Sequence, residues 1–403
     1  MGAARAADKA AAAGRLHDDR RPRVCFVVES GTDVRLVDGL AAFADVTVLA
    51  RRVVGGVEIS RPSRSAASIE LGPSSFVAFA WHVYLALRRR RRGEFDFILV
   101  QGYGAAAAAV NTASRLTGTP AAMLVCSPVE EYYRCRREHT GPGKPFRYRE
   151  LAAIRLLASI NARIGRRYVV LSDYLADVVR GHAASAAVDV IPVYGVDTAV
   201  FRPIDRPRDD LRRARGLPER GSVLFYSSRI APEKDSRTLL EAVARLLAEG
   251  RDIYLLHRSG GYRHFLVEAA AHGVDQRVIA TDAVHPIDEL PLDYAASDVC
   301  VQASRAEGLG YSVLEALACG VPVVATRVGG LAETVVDGVT GWSCAAGDAG
   351  ALAASLGAAL DDPVEARRRA LAGRKMVQQR YEADGAFRRL AELIERGTAK
   401  VRS

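Results

Sequence analysis

No apolar run in the sequence approaches the roughly eighteen residues that a membrane-spanning helix needs, so none is predicted. There is no CxxC pair either. Cys25, Cys126, Cys135, Cys300, Cys319 and Cys344 stand at irregular spacings, several inside apolar runs such as VCFVV and DVCV. That excludes a disulfide framework or a cysteine-based metal site and reads as small buried hydrophobes in a reducing compartment. The opening MGAARAADKAAAAGRLHDDRRP lacks the apolar stretch of a secretion signal. Residues 1–22 read as a disordered tail, with an amphipathic targeting peptide as the alternative. No long Gly/Ser linker and no short internal repeat occurs.

What is present is ordinary for a soluble globular chain: 403 residues, 49% apolar and 26% charged. This excludes a wholly disordered chain and a coiled-coil or collagen-like fibre. At roughly 150 residues per domain, two or three domains are expected. The charge is uneven. Residues 1–203 hold 29 Lys and Arg against 19 Asp and Glu, whereas residues 204–403 hold 27 against 28. The basic excess belongs to the N-terminal half, the half an anionic partner would meet first.

Short apolar runs alternate with helical patterns throughout. Strands are predicted at 23–29, 45–50, 96–100, 121–125, 168–172 and 188–193, and again at 222–227, 252–257, 277–281, 298–303 and 322–326. Many are continuous apolar runs, as parallel strands buried on both faces require. Helices are predicted over 104–117, 151–165 and 236–249, the last with Leu239, Leu240, Val243, Leu246 and Leu247 on one face. The alternation argues two doubly wound α/β domains. Their boundary falls near 191–210, which carries Pro192, Pro203, Pro207 and Gly195. Ligands of open α/β sheets bind at the carboxyl ends of strands, so a cleft faced by both sheets is the expected site.

The most informative segment is SRAEGLGYSVLEALACGVPVVATRVGGLAETVVDGVTG, residues 304–341. A strand feeds a loop and then a helix expected to begin near Ser312. Gly308 and Gly310 allow close backbone approach to a ligand, and the helix start offers N–H groups to an anion. Glu307 precedes the turn and Glu315 is expected in the first helical turn, two carboxylates able to accept from sugar hydroxyls. A second segment, SSRIAPEKDSRTLL (227–240), places Arg229 after a strand and Lys234 before a helix capped by Asp235 or Ser236. Two cations at a helix start suit a diphosphate; either alone also reads as a solvated loop charge.

Together these segments resemble the retaining glycosyltransferases of family 4, which have the GT-B fold. The resemblance extends from about residue 23 to residue 397. It rests on Glu307-Gly-Leu-Gly-Tyr-Ser-Val-Leu-Glu315, the following Ala-Cys-Gly-Val-Pro-Val-Val-Ala-Thr, Gly329-Gly330-Leu-Ala-Glu333, Arg229 with Lys234, and Pro192 with Gly195-Val196-Asp197. It implies two Rossmann-like doubly wound domains facing a central cleft. Residues 23–195 would be the acceptor side, 196–380 the donor domain, and 381–403 a C-terminal helix packing back on the first domain. It also implies roles. Arg229 and Lys234 would bind the donor diphosphate, Glu307 the sugar hydroxyls and Glu315 the ribose. Gly308, Leu309, Gly310, Tyr311 and Ser312 would line the donor, with backbone groups around the last three at the distal phosphate. Val284 lies where the base is usually met, and Gly31 in the N-terminal glycine loop. The expected donor is a UDP- or GDP-sugar, used with retention and no essential metal or other cofactor. No Asp-x-Asp follows a predicted strand; the nearest approximation, Glu94-Phe-Asp96, precedes one.

The sequence departs from that family on the acceptor side. The strand at 121–125 runs into Cys126-Ser127-Pro128 and then Glu130-Glu131-Tyr132-Tyr133, without the histidine that many members carry there. Ser127, Glu130 or Glu131 is left to position the acceptor. His139 lies further along, and a solvated loop histidine is the preferred reading. Glu29-Ser-Gly31-Thr-Asp33 holds one glycine where a pair is common. His257 and Arg258 are unusual after their strand and read as strand-end packing and a surface charge.

Two further signals have competing readings. SFVAFAWHVYLALRRRRR, residues 75–92, is apolar nearly all round and ends in Arg88–Arg92. It is either a membrane-surface helix meeting anionic lipid or, the preferred reading, a buried helix whose cations complement its dipole. No nucleic-acid motif accompanies it. Gly102-Tyr-Gly104-Ala-Ala-Ala107 mimics a dinucleotide fingerprint, but no acidic residue follows at the required place, and close helix–strand packing explains it better.

The sequence therefore predicts a cytoplasmic, metal-independent transferase moving a sugar from a nucleotide donor to a glycan, lipid-linked or small-molecule hydroxyl, with an anionic membrane surface met through Arg88–Arg92 as the alternative reading of the helix at 75–92. The alternatives are a sugar-nucleotide epimerase of the same fold and a non-catalytic nucleotide-sugar-binding protein.

Overall fold

The computed structural model describes residues 20–52, 67–90, 93–138, 148–259, 261–281 and 289–402. Val284, His139, Arg91, Arg92 and nearly all of the N-terminal tail lie outside the described residues.

Two compact units divide the contacts. The first comprises Met1–Cys126, Arg147–Gly195 and Ala383–Ser403; the second comprises Ser127–Phe146 and Val196–Glu382. The chain passes from one to the other at Gly195, but two segments depart from a simple division. Ser127–Phe146, from the N-terminal half of the sequence, belongs with the second unit. The C-terminal helix Ala383–Arg402 belongs with the first, where Phe387 lies against Gly39.

In the first unit the strands are β1 (Arg23–Val28), β2 (Asp45–Arg51), β3 (Ala67–Gly72), β4 (Phe97–Gln101), β5 (Ala121–Val125), β6 (Arg167–Val170) and β7 (Ala187–Val190). They form one sheet in the order β3-β2-β1-β4-β5-β6-β7, every pair parallel. In the second unit β8 (Ser222–Tyr226), β9 (Ile253–Arg258), β10 (Val278–Thr281), β11 (Val299–Gln302), β12 (Val323–Thr326) and β13 (Trp342–Cys344) form another parallel sheet, in the order β10-β9-β8-β11-β12-β13. Each is doubly wound. The order reverses between β1 and β4 in the first sheet and between β8 and β11 in the second, which marks the carboxyl ends of those strands as the places where a ligand fits.

The strands form where the sequence runs Val, Ile, Leu and Phe without interruption: Val24–Val27 and Phe97–Val100 are at most 2% exposed. Helices begin at side chains that satisfy the first N–H groups, as Asp33, Ser172, Asp235, Asp348 and Asp362 do. Behind the second sheet, Leu239, Leu240, Val243 and Leu246 of the helix Ser236–Ala248 pack with Leu224, Leu255 and Val301.

Two strands escaped the hydrophobic pattern. The edge strand β3 is ASIELG, with Ile69 and Leu71 exposed, and β13 is three residues long. The helix Phe76–Arg89 is not apolar all round in its packing. Phe79, Val83 and Leu87 are buried, whereas Phe76, Val77 and Trp81 stand 52%, 77% and 61% exposed. The preferred reading of a buried helix therefore holds for one face only.

Candidate active site

The switch point of the second sheet gathers the charged residues singled out from the sequence. The chain leaves β8 at Ser227 and Ser228, presents Arg229, and makes a short 3-10 turn, Pro232–Lys234, before the next helix. Asp235 closes that turn in the left-handed region at φ 49° and caps the helix through Thr238. Arg305 reaches the same carboxylate, its Nε donating to the Oδ2 that also accepts from the Thr238 hydroxyl, each at 2.7 Å. Lys234 is thereby fixed between a turn and a capped helix rather than left on a free loop.

The chain leaves β11 into Ala303–Gly310. Ser304 is anchored at both ends: its hydroxyl accepts from Gln302 Nε2 at 2.8 Å, and its carbonyl accepts from Thr326 Oγ1 at 2.5 Å. That places Glu307, 7% exposed, at the carboxyl end of the strand. One oxygen of Glu307 takes the Lys234 ammonium together with Ser304 Oγ at 3.3 Å; the other accepts from Tyr132 Oη at 3.3 Å. Burial, and then the Glu307 and Glu233 carboxylates, push the Tyr132 phenol above its ordinary value, so it remains a donor.

Gly308, Leu309 and Gly310 lead into the helix Tyr311–Ala318. Gly310, at φ 89°, caps its start, and a Cβ there would lie 2.4 Å from Leu331 Cδ2. Gly330 packs from the other side. A Cβ added to it would lie 2.3 Å from the Gly308 carbonyl oxygen and 2.6 Å from Leu309 Cα, and its own N–H donates to the Glu307 carbonyl at 3.1 Å. Because the helix begins at Tyr311, before the expected Ser312, Glu315 lies past the first turn and not within it. It is 6% exposed and accepts from Tyr294 Oη at 3.2 Å, while the same hydroxyl also donates to the Ser312 carbonyl at 3.0 Å.

Glu233, beside Lys234, is wholly buried. Its carboxylate receives Arg136 through two nitrogens, Nε at 3.1 Å and Nη2 at 2.9 Å, and Arg229 through Nη2 at 2.5 Å. Burial alone would raise the Glu233 carboxyl. The hydrogen bonds from Arg136 and from its own backbone N–H, with the charges of both guanidiniums, outweigh burial and hold it at about 2.

Arg136 and Tyr132 come from the helix Val129–Glu138, which opens with Glu130 and Glu131 in its first turn just after Ser127. These acceptor-side candidates therefore lie on the same unit as Arg229, Lys234, Glu307 and Glu315. Gly31 lies in the first unit, where its carbonyl accepts from Gln101 Nε2 at 3.4 Å. At the glycine-rich turn 102–107 the helix start already meets a carboxylate of the chain: the Ala106 N–H donates to Glu29 Oε1 at 3.1 Å. Burial raises the Glu29 carboxyl, with the Ala106 hydrogen bond and Arg51 opposing. His257 packs in the core as expected, burial lowering its pKa against the opposing contact of Nδ1 with the Tyr226 carbonyl at 3.0 Å. Arg258 is no surface charge: its side chain is 9% exposed, lies 3.5 Å from Asp293 and donates to Thr281 Oγ1 at 2.9 Å. Strand β9 ends inside the unit, so only a paired cation is tolerated there.

A family description, "Glycosyl transferases group 1", matches residues 221–362, the stretch that carries both strand ends just described. The 2-deoxystreptamine glucosyltransferase of Streptomyces kanamyceticus is 31% identical over 312 residues, 76% of this chain and 78% of that protein. The chain belongs to the glycosyl transferases group 1 family. A GDP-mannose-dependent alpha-(1-6)-phosphatidylinositol monomannoside mannosyltransferase of Mycolicibacterium smegmatis is 37% identical over 52% of this chain and 56% of that relative, so the match spans little more than half of its length. Among solved structures, Anabaena HepE in complex with UDP and glucose superposes with a TM-score of 0.74 at 19% identity, over 93% of this chain and 100% of that one. Sucrose-phosphate synthase from Thermosynechococcus elongatus gives 0.76 at 20%, over 94% and 100%. The two Rossmann-like units are thus those of a GT-B fold.

In this group 1 family member, sequence reasoning found both strand-end motifs but missed Tyr132, Arg136 and Glu233 as parts of the site. Glu233 stood beside a chosen residue and carried no signal of its own. Arg136 lies 97 residues from Glu233, a pairing that no local pattern encodes.

Proposed function

We propose that the protein transfers a sugar from a nucleoside-diphosphate donor to a hydroxyl acceptor, with retention at the anomeric carbon and without a metal. The observation that carries this reading is the convergence of Arg229, Lys234 and Glu307 at the carboxyl ends of β8 and β11, beside the helix start at Gly310. The second unit binds the donor and also carries the acceptor-side candidates on and before the helix Val129–Glu138; the first unit supplies the rest of the acceptor selection. Departure of the diphosphate places negative charge on the β-phosphate while the sugar becomes oxocarbenium-like. Arg229, Lys234 and the N–H groups at the helix start stabilise the leaving group as preorganised donors, which supports turnover without a cation. Glu307 accepts from the sugar hydroxyls, and Glu315 from the ribose. The acceptor attacks from the face the diphosphate leaves, and its proton passes to the departing phosphate oxygen. Ser127, Glu130 and Glu131 are the candidates to orient the acceptor.

A UDP- or GDP-sugar is the donor class. The mycobacterial relative is GDP-mannose-dependent, and the Anabaena structure holds UDP. A sugar-nucleotide epimerase would use the same donor contacts but release nothing. Purified protein is expected to release nucleoside diphosphate slowly from one of UDP-, GDP-, ADP- or dTDP-sugars in the presence of EDTA, and faster with acceptor. Sugar conversion without release would favour the epimerase; donor binding with neither would favour a non-catalytic binding protein. Loss of release in EDTA, restored by a divalent ion, would overturn metal independence.

The reading includes a cytoplasmic location, which the six free cysteines support, and contact with an anionic membrane. Among the described residues no helix is long and apolar enough to cross a bilayer. Val77, Trp81 and Arg88 share the exposed face of the helix Phe76–Arg89, and Trp81 stacks on Tyr84 at 5.4 Å. An aromatic and aliphatic stripe ending in arginine suits the interface of anionic lipid. Sedimentation with phosphatidylglycerol vesicles is expected for the protein and not for a Val77→Asp/Trp81→Asp variant; equal binding by both sinks the assignment.

A further inference from the structure

The two cations assigned to the diphosphate are already neutralised inside the site. Lys234 is paired with Glu307 and Arg229 with Glu233. These four groups sum to zero charge, a poor receptor for a diphosphate. The imbalance that an anion needs comes from Arg136, the second guanidinium on Glu233.

We propose that Arg136 is a positioning residue of the donor site: by keeping Glu233 paired, it releases Arg229 to the diphosphate. This rests on the glycosyltransferase reading and deepens it. The geometry favours that division of labour. Arg136 grips both oxygens of Glu233 with two nitrogens, the fork arrangement in which guanidinium binds carboxylate most firmly, whereas Arg229 reaches the same carboxylate through one. Glu233 is fully buried, so a carboxylate left there without a cation is costly. If Arg229 were its partner alone, turning Arg229 toward a phosphate would leave that charge unpaired. With Arg136 in place the carboxylate stays neutralised while Arg229, half exposed, swings to the ligand. The backbone enforces the arrangement. The Glu233 carbonyl accepts from the Arg305 N–H at 2.9 Å, tying the 3-10 turn to the loop that carries Glu307. Tyr132, one turn before Arg136 on the same helix, contacts Glu307. A helix from the N-terminal half of the sequence thus reaches two carboxylates of the second unit, Glu233 and Glu307.

The test is nucleoside-diphosphate binding by the full-length protein, measured by calorimetry with UDP and GDP and, in parallel, with uridine and guanosine. Arg136→Ala is expected to weaken the preferred diphosphate about tenfold while leaving nucleoside affinity unchanged; a merely structural loss would weaken both. Arg136→Lys is expected to restore most of the affinity. In an Arg229→Ala/Glu233→Gln background, where neither the carboxylate nor the residue it would hold remains, Arg136→Ala should add little. The decisive variant is Arg136→Ala/Glu233→Gln. Removing the carboxylate makes Arg136 unnecessary, so diphosphate affinity should recover. Unchanged affinity in Arg136→Ala, or no recovery in the double variant, overturns the proposal while wild-type binding keeps the donor site. Absence of diphosphate binding by the wild-type protein would instead overturn the donor-site reading itself.

Discussion

Glu307→Ala is expected to abolish sugar transfer in a protein that still folds. The side chain holds no part of the hydrophobic core. It takes the Lys234 ammonium and Ser304 on one oxygen and Tyr132 on the other, at the carboxyl end of β11. Its removal deletes the carboxylate proposed for the sugar hydroxyls and frees Lys234 from the partner that aims it, so two contacts to the donor are lost together. Loss of one preorganised donor to a developing charge costs about 3–4 kcal/mol of barrier, and the joint loss should bring kcat/KM down by at least about a thousandfold. Unpairing Lys234, whose side chain is 12% exposed, also costs stability, of order 1 kcal/mol. The measurement is diphosphate release by the variant, with circular dichroism and a melting curve recorded beside it. Turnover within tenfold of the native enzyme would remove Glu307 from the site.

Gly330→Ala tests the same loop from behind, through shape and not charge. Gly330 has an ordinary helical conformation, φ −66° and ψ −15°, so alanine carries no backbone strain there. The obstacle is space: the new methyl would sit 2.3 Å from the Gly308 carbonyl oxygen and 2.6 Å from Leu309 Cα. Both are backbone atoms, so the loop Gly308–Gly310 must move as a unit and carry the start of the following helix with it. Displacement of about 1 Å at a reacting group can cost about a hundredfold in rate. The expected result is a fall of that order in kcat with the melting temperature lowered by a few degrees. A variant with native kcat would show that the loop can shift without touching the chemistry.

The strand pattern, the helix starts and the two strand-end motifs were legible because each is local. A buried parallel strand announces itself as a continuous apolar run, as at Val24–Val27 and Phe97–Val100, and Asp235 marks a helix start by the hydrogen bond it accepts from the Thr238 N–H three residues on. Strand β3 escaped because an edge strand need not bury its side chains, and Ile69 and Leu71 do not. Arg258 was misjudged because a charged residue at a strand end looks the same in sequence whether its strand finishes at the surface or beside Asp293.

By itself, then, the sequence determined two doubly wound domains and the presence of Arg229, Lys234, Glu307 and Glu315 just beyond two strands of the second. Local hydrogen bonding and hydrophobic periodicity act over a few residues, and a few residues of sequence suffice to read them. The tertiary structure alone decided which charges meet. It paired Lys234 with Glu307, brought Arg136 across 97 positions to Glu233, and packed Gly330 against Gly308. Those pairings arise where chain segments distant in sequence converge at strand ends. Convergence of that kind is fixed by the order of strands in the sheet and the packing of helices upon it, which no single segment contains.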